Sequence, residues 1–191
     1  MTSKEDEKIQ HLYFLRHCKT ILNEQGKVSG IQDSKLCNAA AISNAEVIKE
    51  SSLTITSSDL GRCRQTINLL LPRLEITPVI YYSELLRERN MGIFEGKNRK
   101  ELSKKYPCYF EKNRFCFKMT PPDGESYQQI QIRIQCFIEE FTKILNENKG
   151  SVLICAHNQV LKLLYCELLK IPADEIWGDL DFAGGEVKQI Y

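Results

Sequence analysis

The sequence predicts an α/β fold in which a mostly parallel sheet is covered by helices. Two observations carry that prediction. Apolar runs of four to six residues alternate with helical patterns along the chain, the mark of strands joined by helical crossovers. One stretch, about residues 85–124, breaks the alternation with charged and aromatic residues and closes on Pro121-Pro122-Asp123-Gly124, which reads as a small lid insertion with a short helix near Arg99–Lys105.

The strand-like runs are Leu12–Leu15, Leu53–Thr56, Val79–Tyr82, Val152–Cys155 and Val187–Tyr191. Asn38 is placed to cap a helix over Ala39–Glu50, with Ala40, Ala41, Ala45 and Val47 or Ile48 facing the core. Arg62–Leu71 reads as the next helix, stopped by Pro72. Ser126–Asn146 gives the longest helical pattern, with Ile130, Ile134, Phe137, Ile138, Phe141 and Leu145 at spacings of three and four. Val160–Leu169 follows as an apolar helix ended by Pro172. Short connections at the strand exits then gather Arg16-His17, Ser57-Ser58 and Ala156-His157 at one edge of the sheet, where open α/β sheets bind ligands.

A chain of 191 residues, 42% hydrophobic, can bury one sizeable core, so residues 1–191 are expected to form one domain with residues 1–10 as a flexible charged tail. Twenty-six Lys and Arg nearly cancel 25 Asp and Glu, so no global field attracts nucleic acid or an anionic membrane. Any anion must be recognised by local charge. The eight cysteines form no CxxC pair, several lie in apolar segments, and Met1–Gln10 holds no apolar signal; a cytoplasmic location is the expectation. Oligomeric state is open.

Two of the three histidines, His17 and His157, stand at the exits of buried-strand patterns, which points to one shared site. A neutral imidazole, with an ordinary pKa near ~6.5, can attack phosphorus. That attack requires the phosphoryl charge to be neutralised, and Arg16 and Arg62, each just after a buried strand, supply planar cationic forks suited to phosphate oxygens. A random arginine is more often a solvated surface group; their position at strand exits weighs against that. A zinc site built from His17, His157, Cys18 and Cys155 is the rival, disfavoured by the adjacent Arg16 and Lys19 and by the lack of ligand spacing.

The chain resembles the histidine phosphatase superfamily, in its phosphoglycerate-mutase-like branch 1. Arg16-His17-Cys18-Lys19-Thr20 with Asn23 matches the opening motif, and Gly30-Ile31-Gln32-Asp33-Ser34-Lys35-Leu36 the segment that follows it. Ser57-Ser58-Asp59-Leu60-Gly61-Arg62-Cys63-Arg64-Gln65-Thr66 matches the second arginine motif, and Leu86-Arg87-Glu88 with Gly92-Ile93-Phe94-Glu95-Gly96 the acidic one. Pro122-Asp123-Gly124-Glu125-Ser126 with Arg133, and Val152–Asn158, complete six ordered motifs. The resemblance implies a three-layer α/β sandwich, no metal, no cofactor and a phosphohistidine on His17. It also implies a phosphate pocket of Arg16, Arg62 and His157 with Asn23 as a further donor, and Glu88 as the acid that protonates the leaving oxygen. Glu84 and Glu95 are nearby competitors for that role, and an ion pair of Glu88 with Arg87 or Arg89 is the bland alternative.

Three positions depart from the family pattern. Cys18 and Asn158 stand where glycine usually follows each histidine, which would strain a backbone of positive φ. Lys19 replaces a residue that is more often acidic or an amide, and adds a candidate phosphate-site cation. The expected activity is a metal-independent phosphomonoesterase acting on a small phosphorylated metabolite. The alternatives are a cofactor-dependent phosphoglycerate-type mutase and a non-catalytic member that binds a phospho-ligand or a protein. Lys19, Arg87, Arg89, Lys97 and Arg99 are expected near the mouth, or else form a solvated face.

Overall fold

The structure is a computed structural model that describes residues 10–111, 114–147, 150–173 and 179–191, without the side chains of residues 144–147. The expected tail therefore lies almost wholly outside the described residues, and so does the side chain of Leu145. A five-stranded sheet forms the centre. Its strands are β1 (Leu12–Arg16), β2 (Leu53–Ser58), β3 (Val79–Ser83), β6 (Ser151–Ala156) and β7 (Val187–Gln189), in the order β3-β2-β6-β1-β7. All pairings are parallel except β1 with β7. A two-stranded hairpin, β4 (Phe110–Glu111) and β5 (Arg114–Phe115), belongs to the insertion.

Strand alternation divides the core between the two faces of the sheet. Leu12 and Phe14 of β1, with Val152, Ile154 and Ala156 of β6, pack against α4 (Tyr127–Glu147) and α5 (Asn158–Leu169). Tyr13 and Leu15, with Leu153 and Cys155, pack on the opposite face against α2 (Gly61–Leu70) and the segment around Ile42 and Ala45. The result is the three-layer sandwich.

The helix expected over Ala39–Glu50 is absent; only a 3-10 turn at Ala45–Val47 forms there. Its backbone groups are used elsewhere. Ser43 N–H donates to the Gly185 carbonyl, the Ser43 carbonyl accepts from Val187, and Asn44 is left-handed at φ 56°. The Ala41 carbonyl accepts from the Cys18 thiol and lies so close to Gly185 that a Cβ there would collide with it. Pairing with the C-terminal strand region thus overrides the helix propensity of an alanine-rich stretch. At the other end of the chain, α5 stops at Leu169 because Lys170 turns left-handed (φ 57°), two residues before Pro172 could act.

The insertion lies over the site with a small core of its own, in which Phe94 packs with Val28, Met91, Leu102 and Phe115. Its short helix, α3, spans Arg99–Lys105 with Asn98 capping the Lys100 and Glu101 amides. Among the described residues no helix is long and apolar enough to cross a membrane.

Candidate active site

Sheet register brings the histidines together. Arg16 of β1 pairs with Ala156 of β6, and the His17 amide donates to the Ala156 carbonyl, extending the ladder by one residue. Each strand then ends on its histidine, and the two rings sit 5.1 Å apart, tilted by 57°. His17 Nδ1 lies 2.7 Å from the Cys18 carbonyl oxygen. A carbonyl can only accept, so Nδ1 carries the hydrogen and Nε2 holds the lone pair. Burial first, then the charges of Arg62 and Arg16, hold the His17 pKa down at about 3. The ring is neutral and nucleophilic at physiological pH.

Arg62 is fully buried at the start of α2, an expensive position for a cation unless its hydrogens are satisfied. Its Nη2 donates to the Gly30 carbonyl at 2.7 Å, Nη1 to the Gln32 carbonyl at 2.9 Å, and Nε to His157 Nδ1 at 3.2 Å. Asp33 lies 3.5 Å from Nη1, and its carboxylate also accepts from the Gly61 and Arg62 amides, capping α2 where the helix dipole favours an anion. The Gly30–Leu36 segment is therefore the cradle of Arg62. Gly30 is required there: φ is +56° and a Cβ would strike the Glu95 carboxylate, which itself accepts from the Ile31 and Gln32 amides.

A guanidinium only donates, so His157 Nδ1 is the bare nitrogen and its Nε2 carries the hydrogen, 2.9 Å from Ser58 Oγ. Burial, then Arg62 and His17, push the His157 pKa well below the ordinary histidine value. This ring lies behind His17 and does not line the cavity into which His17 and Arg62 open. As placed, it holds Arg62 and Ser58.

That cavity has a volume of about 390 Å³, and Glu88 forms part of its wall together with Arg16 and Asn23. Burial raises the Glu88 pKa above the ordinary carboxyl value, against a hydrogen bond from the Arg89 amide and the charges of Arg62, Arg16 and Arg133. Burial thus biases it toward the acid form before any substrate arrives. Its segment is anchored by Arg133, which grips Glu125 through two bonds (2.7 and 3.1 Å) and donates to the Leu85 carbonyl.

The family model for the histidine phosphatase superfamily (branch 1) matches residues 12–186. The chain belongs to that superfamily. Among its curated relatives, a fructose-2,6-bisphosphatase of Saccharomyces cerevisiae is 29% identical over 88% of this chain, which spans only 36% of that protein. A probable phosphoglycerate mutase, GpmB of Escherichia coli, is 30% identical over 85% of this chain and 76% of its own. Among solved structures, Bacillus stearothermophilus YhfR superposes with a TM-score of 0.80 at 27% identity, covering 95% of this chain and 90% of that one. A mycobacterial glucosyl-3-phosphoglycerate phosphatase superposes with a TM-score of 0.78 at 25% identity, covering 94% and 91%.

Against the superfamily pattern, the three departures resolve simply. Neither Cys18 nor Asn158 has positive φ, so neither backbone is strained. The Cys18 thiol packs in the α2-side core and donates to the Ala41 carbonyl, while Asn158 lines the cavity and accepts from the Phe182 amide at 3.1 Å. Lys19 lies on an adjoining cavity, exposed and 3.7 Å from Glu24. Asn23 uses its carbonyl oxygen to accept from the Thr20 amide, which leaves its NH2 as a donor.

The competitors of Glu88 have other tasks. Glu84 is largely exposed and pairs with Arg87, and Glu95 holds backbone amides. The expected cationic mouth needs correction at three positions. Arg87 turns to Asp59 (2.5 Å), Arg89 is buried over the Tyr127 ring, and Lys97 does not line the cavity; Arg99 does. Lys27, Arg114, Lys162 and Asp181, also in the wall, were missed by sequence reasoning. For Lys162 a signal existed: it is the one charge in the apolar run Val160–Tyr165.

Proposed function

We propose that the protein is a phosphomonoesterase that works without a metal ion, on a small phosphorylated metabolite. His17 Nε2 attacks phosphorus, the P–O bond to the leaving group breaks, and Glu88 passes its proton to the departing oxygen. Glu88, now a carboxylate, then takes a proton from water as that water attacks the phosphohistidine, releasing inorganic phosphate and restoring both groups. Arg16, Arg62 and the Asn23 amide neutralise the three equatorial oxygens as charge moves onto them. His157 keeps the Arg62 fork aimed and adds its own dipole beneath the nucleophile.

The observation that carries this reading is the 2.7 Å bond from His17 Nδ1 to the Cys18 carbonyl, which fixes the tautomer that leaves Nε2 free to react beside two arginines. Hydrolysis is favoured over a mutase reaction because the insertion over the site is small, with a core of a few side chains around Phe94. All eight cysteines are free, in keeping with a cytoplasmic setting. The test is hydrolysis of p-nitrophenyl phosphate in excess EDTA, with trapping of the phosphoenzyme. Turnover that survives chelation, and a labelled phosphoryl group that disappears in His17→Ala, are expected; loss of turnover on chelation, or labelling that persists in His17→Ala, overturns the proposal.

A further inference from the structure

Sheet register sets the ends of β2 and β3 side by side. Ser58 pairs with Ser83, so Asp59 and Glu84 are the next residues out from the carboxyl edge of the sheet. Arg87 closes on both of them. Its Nε donates to Asp59 Oδ1 at 2.8 Å and its Nη2 to Asp59 Oδ2, while Nη1 lies 3.1 Å from the Glu84 carboxylate. The 3-10 turn Glu84–Leu86 ends at Arg87, whose backbone (φ −57°, ψ 149°) leaves the helical region. Neighbouring side chains then part: Arg87 reaches Asp59, and Glu88 joins the cavity wall.

We propose that Asp59 and Arg87 are positioning residues for proton transfer, their fork holding the Glu88 carboxyl at the leaving oxygen of a phosphoryl group bound by Arg62. The inference rests on the phosphomonoesterase reading and extends its machinery to two residues that do not line the cavity.

Arginines anchor the Glu88 segment in two directions. Arg89 donates to the Glu125 and Met119 carbonyls and Arg133 to the Leu85 carbonyl, which ties the segment to the insertion and to α4. The Arg87 fork runs instead to the β2–α2 corner, three residues before Arg62. Arg62 opens into the cavity with Arg16 and with Asn23 of α1 (Ile21–Glu24). The fork is thus a short link between the side chain that gives the proton and the cation that holds the phosphoryl group. An exposed ion pair contributes little, but this one is bidentate and the Asp59 side chain is only 20% exposed. The hydrogen bonds from Arg87 hold the Asp59 carboxyl below its ordinary pKa, so the pair stays charged. Proton transfer is sensitive to such anchoring, since a misplacement of ~1 Å can cost on the order of 10²-fold.

The test compares kcat/KM on glycerol 3-phosphate and p-nitrophenyl phosphate for Asp59→Ala and Arg87→Lys, each alone and combined with Glu88→Gln. Lysine keeps the charge of Arg87 and loses its fork. Each single variant should lose about tenfold or more on the alkyl ester and about threefold or less on the nitrophenyl ester, whose leaving group needs little protonation. Once Glu88 is glutamine, neither change should lower the alkyl-ester kcat/KM further, because the proton that the fork positions is gone. Equal losses on both esters, no loss in Asp59→Ala, or a loss in the Glu88→Gln background as large as in the wild type overturns the inference; should Asp59→Ala not fold, Arg87→Lys carries the same comparison. A wild type that hydrolyses neither ester, or a Glu88→Gln variant that loses equally on both, defeats instead the reading on which the inference rests.

Discussion

Replacing Glu88 by Gln separates the two roles assigned to that side chain from its structural role. The Arg89 amide donates to Glu88 Oε1 at 2.9 Å, and the glutamine carbonyl can accept the same bond, so the backbone that carries the residue keeps its anchor. Because burial already biases Glu88 toward the neutral acid, the neutral amide imposes little new desolvation cost. What disappears is the transferable proton. General acid catalysis contributes roughly 10²–10⁴-fold, or about 3–5 kcal/mol at ~1.36 kcal/mol per decade. The full amount applies to an alkyl phosphate, whose alkoxide cannot leave unprotonated. A p-nitrophenyl ester leaves as a stabilised phenolate and needs little of it. Steady-state kcat/KM on both substrates, over a pH series, should show a loss of about 10²-fold or more on glycerol 3-phosphate and about tenfold or less on p-nitrophenyl phosphate. The sign for pH follows from the raised pKa: wild-type activity on the alkyl ester should fall as pH rises through the Glu88 pKa and the proton is lost, and E88Q should lack that alkaline limb. Equal losses on both substrates, or a limb that survives in E88Q, would remove Glu88 from the acid role.

Asp33→Ala removes an acceptor of two amides at the start of α2, a capping loss of about 1–2 kcal/mol; for a chain of this size that lowers Tm by roughly 3–6 °C, and an unchanged melting curve would refute the cap. Both buried histidines should make the fold acid-sensitive. Their folded pKa values lie below the unfolded ~6.5, about 3 for His17, so the unfolded chain binds more protons in between and stability falls as pH drops below 6.5, by up to ~1.4 kcal/mol per pH unit for each. Glu88, raised above its unfolded value, works in the opposite sense at pH above ~4.5, so the check is a difference: denaturant midpoints of His17→Asn between pH 6.5 and 5 should depend less steeply on pH than those of the wild type.

Periodicity made legible those elements whose burial is simple. β1, β2 and β6 are apolar runs buried on both faces, and α4 repeats its core residues at three and four, so pattern and structure agree. The stretch from Ala39 to Glu50 was misread because its backbone partners, Gly185 and Val187, lie about 140 residues away, and no local pattern reports a long-range hydrogen bond. The same limit applies to the site. His17, Arg16, Arg62, Asn23 and Glu88 sit in ordered motifs and all line the cavity. Arg114 opens a two-residue strand and Asp181 lies in a loop, and the composition around each resembles any solvated segment. Arg89 is the reverse case: its charge suggested the mouth, but its hydrogens go to the Glu125 and Met119 carbonyls inside the insertion.

The two residues that follow the histidines show why a motif match and a mechanism are separate claims. Cys18 serves chemistry through its backbone: its carbonyl fixes the His17 tautomer, its amide donates to Thr66 Oγ1 at 2.9 Å, and its thiol fills core space beneath Ala41. Any residue of negative φ and modest volume could orient the ring in this way, so glycine is dispensable there. Asn158 acts instead through its side chain, accepting from the Phe182 amide, while the Phe182 carbonyl accepts from Arg16 at 2.8 Å. This links α5, the C-terminal segment and one phosphate-binding arginine in a chain of two hydrogen bonds. Asn158→Gly would restore the family residue yet release Phe182, so Arg16 should lose its fixed position and KM for phosphomonoesters should rise several-fold while a Cys18→Gly variant keeps its KM. An Asn158→Gly variant with unchanged KM would show that Arg16 is held without this link.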